Sequence, residues 1–232
     1  MSDFNKRRAL AFDGKFVRAE LIENARDVAV HGVVTNLSNE KMVVGGDVAG
    51  IVPPWKSTIL RGGVIAIAER VSVVDISTAT NLGGVVFDGW EWFGDRMAAF
   101  PRHTPLYISP KDVAGSVRVN PWHFANAPQP QGESSDFEIR LNLWWAPPKT
   151  DAGIHNTHDF LEIHTQISGN GRIQIFHDQA GANLYRELST APGDTHDPIL
   201  QVEGVHAFRY PWHRGWTDEG CIWMAIELHP KR

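Results

Sequence analysis

The stretch Gly153–Gly171, GIHNTHDFLEIHTQISGNG, places His155, His158, Glu162 and His164 within ten residues. Imidazole and carboxylate are the donors that hold Fe(II), Mn, Ni, Zn or Cu, and the pair does not separate these ions. Laid out as a strand, His158, Phe160, Glu162, His164 and Gln166 share one face, while Leu161, Ile163, Thr165 and Ile167 share the other. One face then carries ligand chemistry and the other is apolar. His155 is out of phase and can join the set only through a loop or bulge at Asn156 and Thr157. Laid out as a helix, His155, His158 and Glu162 would also align. Helical zinc motifs, however, space their histidines by four with a Glu directly after the first. The β-branched residues and the flanking glycines favour a strand. The plain alternative is a group of solvated or core histidines that hold nothing.

The elements that must position these residues are short. Helical periodicity is scarce, and the chain breaks into β-branched and aromatic runs separated by Gly, Pro, Asn and Asp. Examples are VAVHGVVTNLS, GGVIAIAERVSVVDIS, GGVVFDGWEWFG, DFEIRLNLWW, GRIQIFHD and GCIWMAIEL. Such spacing predicts an all-β sandwich or barrel of antiparallel strands. Residues 126–136, NAPQPQGESSD, read as a linker. The parts on either side echo each other. RVNPWH ends at His123 and FRYPWH ends at His213, GGVVFDGWEWFG corresponds to GRIQIFHDQAG, and HTPLYI corresponds to HDPILQ about 90 residues on. A near-constant offset predicts a duplicated β-unit. The expected division is residues 1–127, a degenerate barrel or extra strands, and residues 134–232, the part that carries the ligands.

The segment from His158 to Gly169 resembles the first motif of the cupins, in which a His is followed by a Glu and then by a Gly after six more residues. The lead-in PPKTDAGIHNTH is similar as well, except that the family's first His would fall at Asn156 and this chain has His155. The stretch EGVHAFRYPWHRGWTDEGCIWMAIEL resembles the second motif through Gly204, Pro211 and His213, although it lacks the Gly between Pro and His. The resemblance covers about residues 134–228. It implies a cupin-type double-stranded β-barrel, or jelly roll, that is duplicated with a single metal site in the second barrel. It further implies metal ligands His155, His158, Glu162 and His213, with His196 and His206 as competitors for the last place, and a possible homodimer.

Around that site His164 is the candidate catalytic base or orienter, or else a fourth ligand. Strand parity puts Arg140, Asn142 and Trp144 on one face as a candidate anion clamp and aromatic wall for substrate, with Tyr210 beside His213. A solvated edge strand is the plainer reading of the first three. The nine Trp serve equally as cavity walls or as core fillers. Cys221 is the only cysteine and opens an apolar strand, so it is expected to be buried and inert.

The net charge of −5 gives no reason to expect nucleic acid or an anionic membrane as partner. No apolar run is long enough to span a bilayer, and no targeting signal is visible. A single cysteine fits the cytoplasm. The functional expectation is a mononuclear metal-dependent enzyme acting on a small polar organic substrate, with Fe(II) dioxygenase as the leading form. The alternatives are an isomerase, lyase or decarboxylase that uses the metal as Lewis acid, and a non-catalytic small-molecule-binding protein.

Overall fold

The computed structural model describes residues 3–46, 49–77, 81–128 and 132–231. Sixteen strands are formed by the described residues: β1 (Lys6–Ala9), β2 (Arg18–Asn36), β3 (Met42–Gly45), β4 (Gly50–Val52), β5 (Ser57–Asp75), β6 (Glu91–Trp92), β7 (Tyr107–Ile108), β8 (Asp112–Val119), β9 (Ser135–Ala146), β10 (Leu161–Ser168), β11 (Gly171–Phe176), β12 (Leu184–Thr190), β13 (Gln201–Gly204), β14 (Ala207–Arg209), β15 (Trp212–Thr217) and β16 (Cys221–Pro230). One short α-helix, α1 (Pro121–Phe124), and two 3-10 helices, Leu82–Phe87 and Phe93–Asp95, interrupt them. Every pairing between named strands is antiparallel, as the alternating runs predict. Among the described residues no helix is long and apolar enough to cross a membrane.

The first sheet runs β1-β2-β5-β3-β4. The two long strands β2 and β5 curl together until Val33–Asn36 lies between both ends of β5, facing Val74 on one side and Ile59 on the other. Gly32 makes the bend possible. Its φ is +130°, and a Cβ there would sit 2.5 Å from the Val74 carbonyl oxygen. The curl encloses its own core of Ile22, Val34, Met42, Ile65 and Val71.

The second sheet runs β10-β16-β9-β7-β6, with β8 also pairing with β9. Strands from before residue 127 thus add directly to β9, and one apolar core spans Leu10 to Leu228. Part of the expected linker, residues 129–131, lies outside the described residues, and Ser135 and Asp136 already belong to β9. A third sheet, β12-β11-β15, carries His213, and β13 pairs with β14.

Two sequence expectations change. The run Gly83–Gly94 is not a strand: Leu82–Phe87 form a 3-10 helix, and only Glu91 and Trp92 extend. The Asn81 side chain accepts from Gly83 N at 3.0 Å and starts the turn, and Gly84 packs where a Cβ would meet the Phe16 ring at 2.4 Å. The Pro-Trp-His echo does not mark matching elements either. Asn120 caps Pro121–Phe124 as α1, accepting from Trp122 N and His123 N, whereas Pro211 leads into β15. The residue before the proline makes the difference: an Asn offers a helix cap and a Tyr does not.

Candidate metal centre

Three segments bring the histidines together. The chain from Lys149 to His155 runs along β15, with Lys149 N donating to Thr217 O, Ala152 N to Gly215 O, and His155 and His213 exchanging backbone bonds of 2.9 Å each way. His155 therefore belongs to the β15 ladder and not to β10, which is why it is out of phase with His158. Residues 156–158 then turn without regular structure and present His158, and β10 starts at Leu161. The ligand nitrogens of His155, His158 and His213 all lie within 4.8 Å of one another. His155 is exposed, His158 half-buried and His213 buried.

The rings are held in orientations that suit an ion. His213 Nδ1 lies 2.9 Å from Pro211 O, and His155 Nδ1 lies 3.1 Å from Gly153 O. A backbone carbonyl can only accept, so each Nδ1 carries a proton and each Nε2 is turned away from that bond. Burial lowers the pKa of His158 and takes that of His213 down to about 3, so both rings are neutral near pH 7. His158 Nε2 approaches His213 Nε2 to 3.4 Å. Oriented imidazoles converging on one point are the donor set that divalent transition metals take.

Glu162 and His164 occupy the polar face of β10, as strand parity predicts, while Leu161, Ile163, Thr165 and Ile167 are buried on the other. Glu162 Oε2 is 3.8 Å from His158 Nε2, and its Oε1 is 3.3 Å from His164 Nε2. Burial alone would raise the Glu162 pKa. The neighbouring His164, chiefly, with its hydrogen bond to the carboxylate, reverses this and holds it well below the ordinary carboxylate value. The carboxylate is thus an anion beside the three rings.

The competing histidines are occupied elsewhere. His196 Nε2 accepts from the backbone N–H of His164 at 2.9 Å, and its Nδ1 donates to Asp197 O at 2.7 Å. Both nitrogens are committed, and burial next to His164 takes its pKa to about 3. His206 pairs with Ser135 Oγ at 2.7 Å and packs edge-on against Phe137.

The residues expected to touch substrate lie beside the centre but are largely spoken for. Arg140 sits two strands from Glu162 in the cross-strand row Glu162, Glu227, Arg140, and its Nε donates to Glu138 at 2.7 Å. Asn142 is fully buried. Its side-chain amide lies between Glu227 Oε1 and Trp144 Nε1, and the orientation that satisfies both has its N donating to Glu227 Oε1 at 3.2 Å and its O accepting from Trp144 Nε1 at 2.7 Å. Trp144 also stacks on Trp223 and meets Phe93 edge-on. The Tyr210 ring lies 4.5 Å from that of His158, and its hydroxyl is bonded to the backbone on both sides of Leu161.

Sequence reasoning missed Glu227. This buried carboxylate on β16 pairs directly across from Glu162 and receives Lys111 Nζ at 2.9 and 2.7 Å and His229 Nε2 at 2.6 Å. The signal was a lone Glu in the run CIWMAIEL, in register with the ligand-bearing face.

No family model matches the chain, and no curated protein does. Solved structures are similar to parts of it. An RmlC-like cupin from Shewanella frigidimarina aligns over 57% of this chain and 82% of its own, at 11% identity and a TM-score of 0.31. A structure of oxalate oxidase with the substrate analogue glycolate aligns over 40% of this chain and 43% of its own, at 15% identity and a TM-score of 0.29. A structure of DMSP lyases aligns over 56% of this chain and 52% of its own, at 15% identity and a TM-score of 0.31. The aligned part spans about half the length of the last two. By the antiparallel pairing of its own strands, the chain has an all-β fold.

Proposed function

We propose that the chain is a mononuclear metal-dependent enzyme of the cupin type acting on a small polar organic substrate, and that Fe(II) dioxygenase is its form. The observation that supports this is the convergence of His155, His158 and His213 with the anionic Glu162 beside them. These four residues would hold the ion. When bound, Fe(II) supplies open coordination positions and the redox chemistry that combines a substrate with dioxygen.

The chain's own residues do the rest. His164, partly exposed, can take or release a proton at Nε2, the nitrogen it turns towards Glu162. Phe160 and Tyr210 pack against His158 and keep water from that side of the ring. Arg140 lies on the face that carries Glu162, where an exchange of its Glu138 partner for a substrate carboxylate would orient an acidic substrate.

A second reading keeps the metal and omits oxygen: an isomerase, lyase or decarboxylase in which His164 moves the proton. The closeness of His164 to Glu162 favours it. Elemental analysis of untagged protein beside Glu162→Ala tests the shared part, with loss of the ion in the variant expected. Unchanged metal content in that variant would refute the site. Oxygen consumption against candidate small acids then separates the two readings, because turnover under strict anaerobiosis rules out the dioxygenase.

A further inference from the structure

We propose that Tyr210 is a positioning residue of the metal centre, which locks the backbone between His158 and Glu162. The proposal rests on the metal reading above and replaces the substrate-contacting role expected of this residue. Strand β10 lies at the edge of its sheet, and only one of its sides is paired with β16. In a strand, the carbonyl of one residue and the N–H of the residue two further on point to the same side. At the start of β10 these two groups are Phe160 O and Glu162 N. The Tyr210 hydroxyl donates to the first at 3.0 Å and accepts from the second at 2.9 Å. One phenol oxygen thus stands where a neighbouring strand would stand. Further along the same edge, a ring nitrogen of His196 does this for His164 N, and the backbone of Asp194 and Gly193 does it for Gln166.

The location matters because His158 lies two residues before Phe160, in chain without regular structure, and Glu162 is the second residue of the strand. The Tyr210 ring is also packed on the His158 ring, and Tyr210 is buried in the main core. One rigid side chain therefore sets both the backbone that carries two candidate ligands and the tilt of one of their rings. With its donor and one acceptor position spent on backbone, the hydroxyl is part of the scaffold and is not presented to a ligand. Outer partners that orient ligands typically change metal affinity by about 10- to 100-fold when removed.

The test uses metal-free, untagged full chain titrated with Co(II) alone, which reports affinity by calorimetry and ligand geometry by its ligand-field absorption. Wild type is expected to saturate at one Co(II) per chain. Tyr210→Phe, which keeps the ring, is expected to bind about 10- to 100-fold more weakly with a changed absorption band. Ser109→Ala is the comparison variant. Ser109 Oγ likewise bridges two backbone groups, Leu143 N and Pro110 O, at a buried place, and neither group belongs to the segments that carry the candidate ligands. It is expected to lower the apo melting temperature yet leave Co(II) affinity within about twofold, so that folding loss and positioning are told apart. Wild type that binds, with Tyr210→Phe at an unchanged constant and spectrum, overturns the role of Tyr210 alone. Wild type that takes up no ion overturns the metal reading and this proposal together.

Discussion

His155 and His213 face each other across a single antiparallel bridge, each donating its backbone N–H to the other's carbonyl at 2.9 Å, with ring centroids 4.4 Å apart. The bridge is made by backbone alone, so side chain and scaffold can be separated. His155→Ala keeps both hydrogen bonds and removes only an exposed ring. Metal affinity should fall by more than about 100-fold, beyond what loss of an outer partner costs. The apo melting temperature should move by less than about 2 °C, since exposed substitutions are close to neutral. Calorimetric titration and a thermal scan of the same sample check both, and retained affinity would remove His155 from the ligand set.

Acid should destabilise the metal-free protein through its buried imidazoles. The pKa values of His196 and His213 are lowered to about 3, and that of His158 is lowered in the same direction, each chiefly by burial. The unfolded chain regains the ordinary value of about 6.5. Between these limits the unfolded state binds more protons, so stability is fully present above about pH 6.5 and is lost as pH falls towards the folded values. The carboxylate of Glu162 adds to the loss only below its ordinary value of about 4.5. Urea midpoints measured from pH 7 to 4.5 should therefore report uptake of about two to three protons on unfolding, and His196→Asn should lower that number by about one. A flat profile over this range would show that these rings are not buried as neutral groups.

How much of this was legible beforehand depends on what each residue needs to be recognised. Glu162 and His164 needed only strand parity, because one face of β10 is apolar and buried and the other is not. His155 could not be placed by parity, because its partner strand is β15, more than fifty residues away. His213 was reachable through a motif, whereas the exclusion of His196 needed the hydrogen bond to His164 N. The run Gly83–Gly94 carries aromatic and β-branched residues but turns as a 3-10 helix, since Asn81 and two glycines outweigh a weak strand preference. The network around Glu227 draws on Lys111, Asn142 and His229 from three separate segments, and no local pattern announces such a set.

That network makes its own prediction. Glu227 is almost fully buried, and Lys111 is its cationic partner at 2.7 Å. Removal of one member of a buried pair leaves an uncompensated charge and commonly costs about 3–5 kcal/mol. Here His229 and Asn142 still reach the carboxylate, and Lys111 is about one-third exposed, so Lys111→Met should cost about 2 kcal/mol. Lys111→Met combined with Glu227→Gln should recover part of that loss, since the stranded charge is gone. Chemical denaturation of Lys111→Met, Glu227→Gln and the double variant gives the coupling, and a double variant less stable than Lys111→Met would contradict it.

The turn after β10 is set by Gly169, and here conformation and crowding act together. Its φ is +67°, and an added Cβ would lie 2.2 Å from the Gly220 carbonyl oxygen. Gln166 Nε2 also donates to the Gly169 carbonyl at 2.9 Å, tying the turn to the ligand-bearing strand. The left-handed conformation alone costs a non-glycine residue about 1–2 kcal/mol. The contact is with backbone and cannot be relieved by a side-chain rotation, so Gly169→Ala should lose more than about 3 kcal/mol. Gly62→Ala isolates the first term, because Gly62 has φ +74° and nothing within 4 Å of an added Cβ. That variant should lose only about 1 kcal/mol. Denaturation midpoints that fall equally for the two would show that the Gly220 contact relaxes at no cost, and that the turn does not depend on the close approach of these two segments.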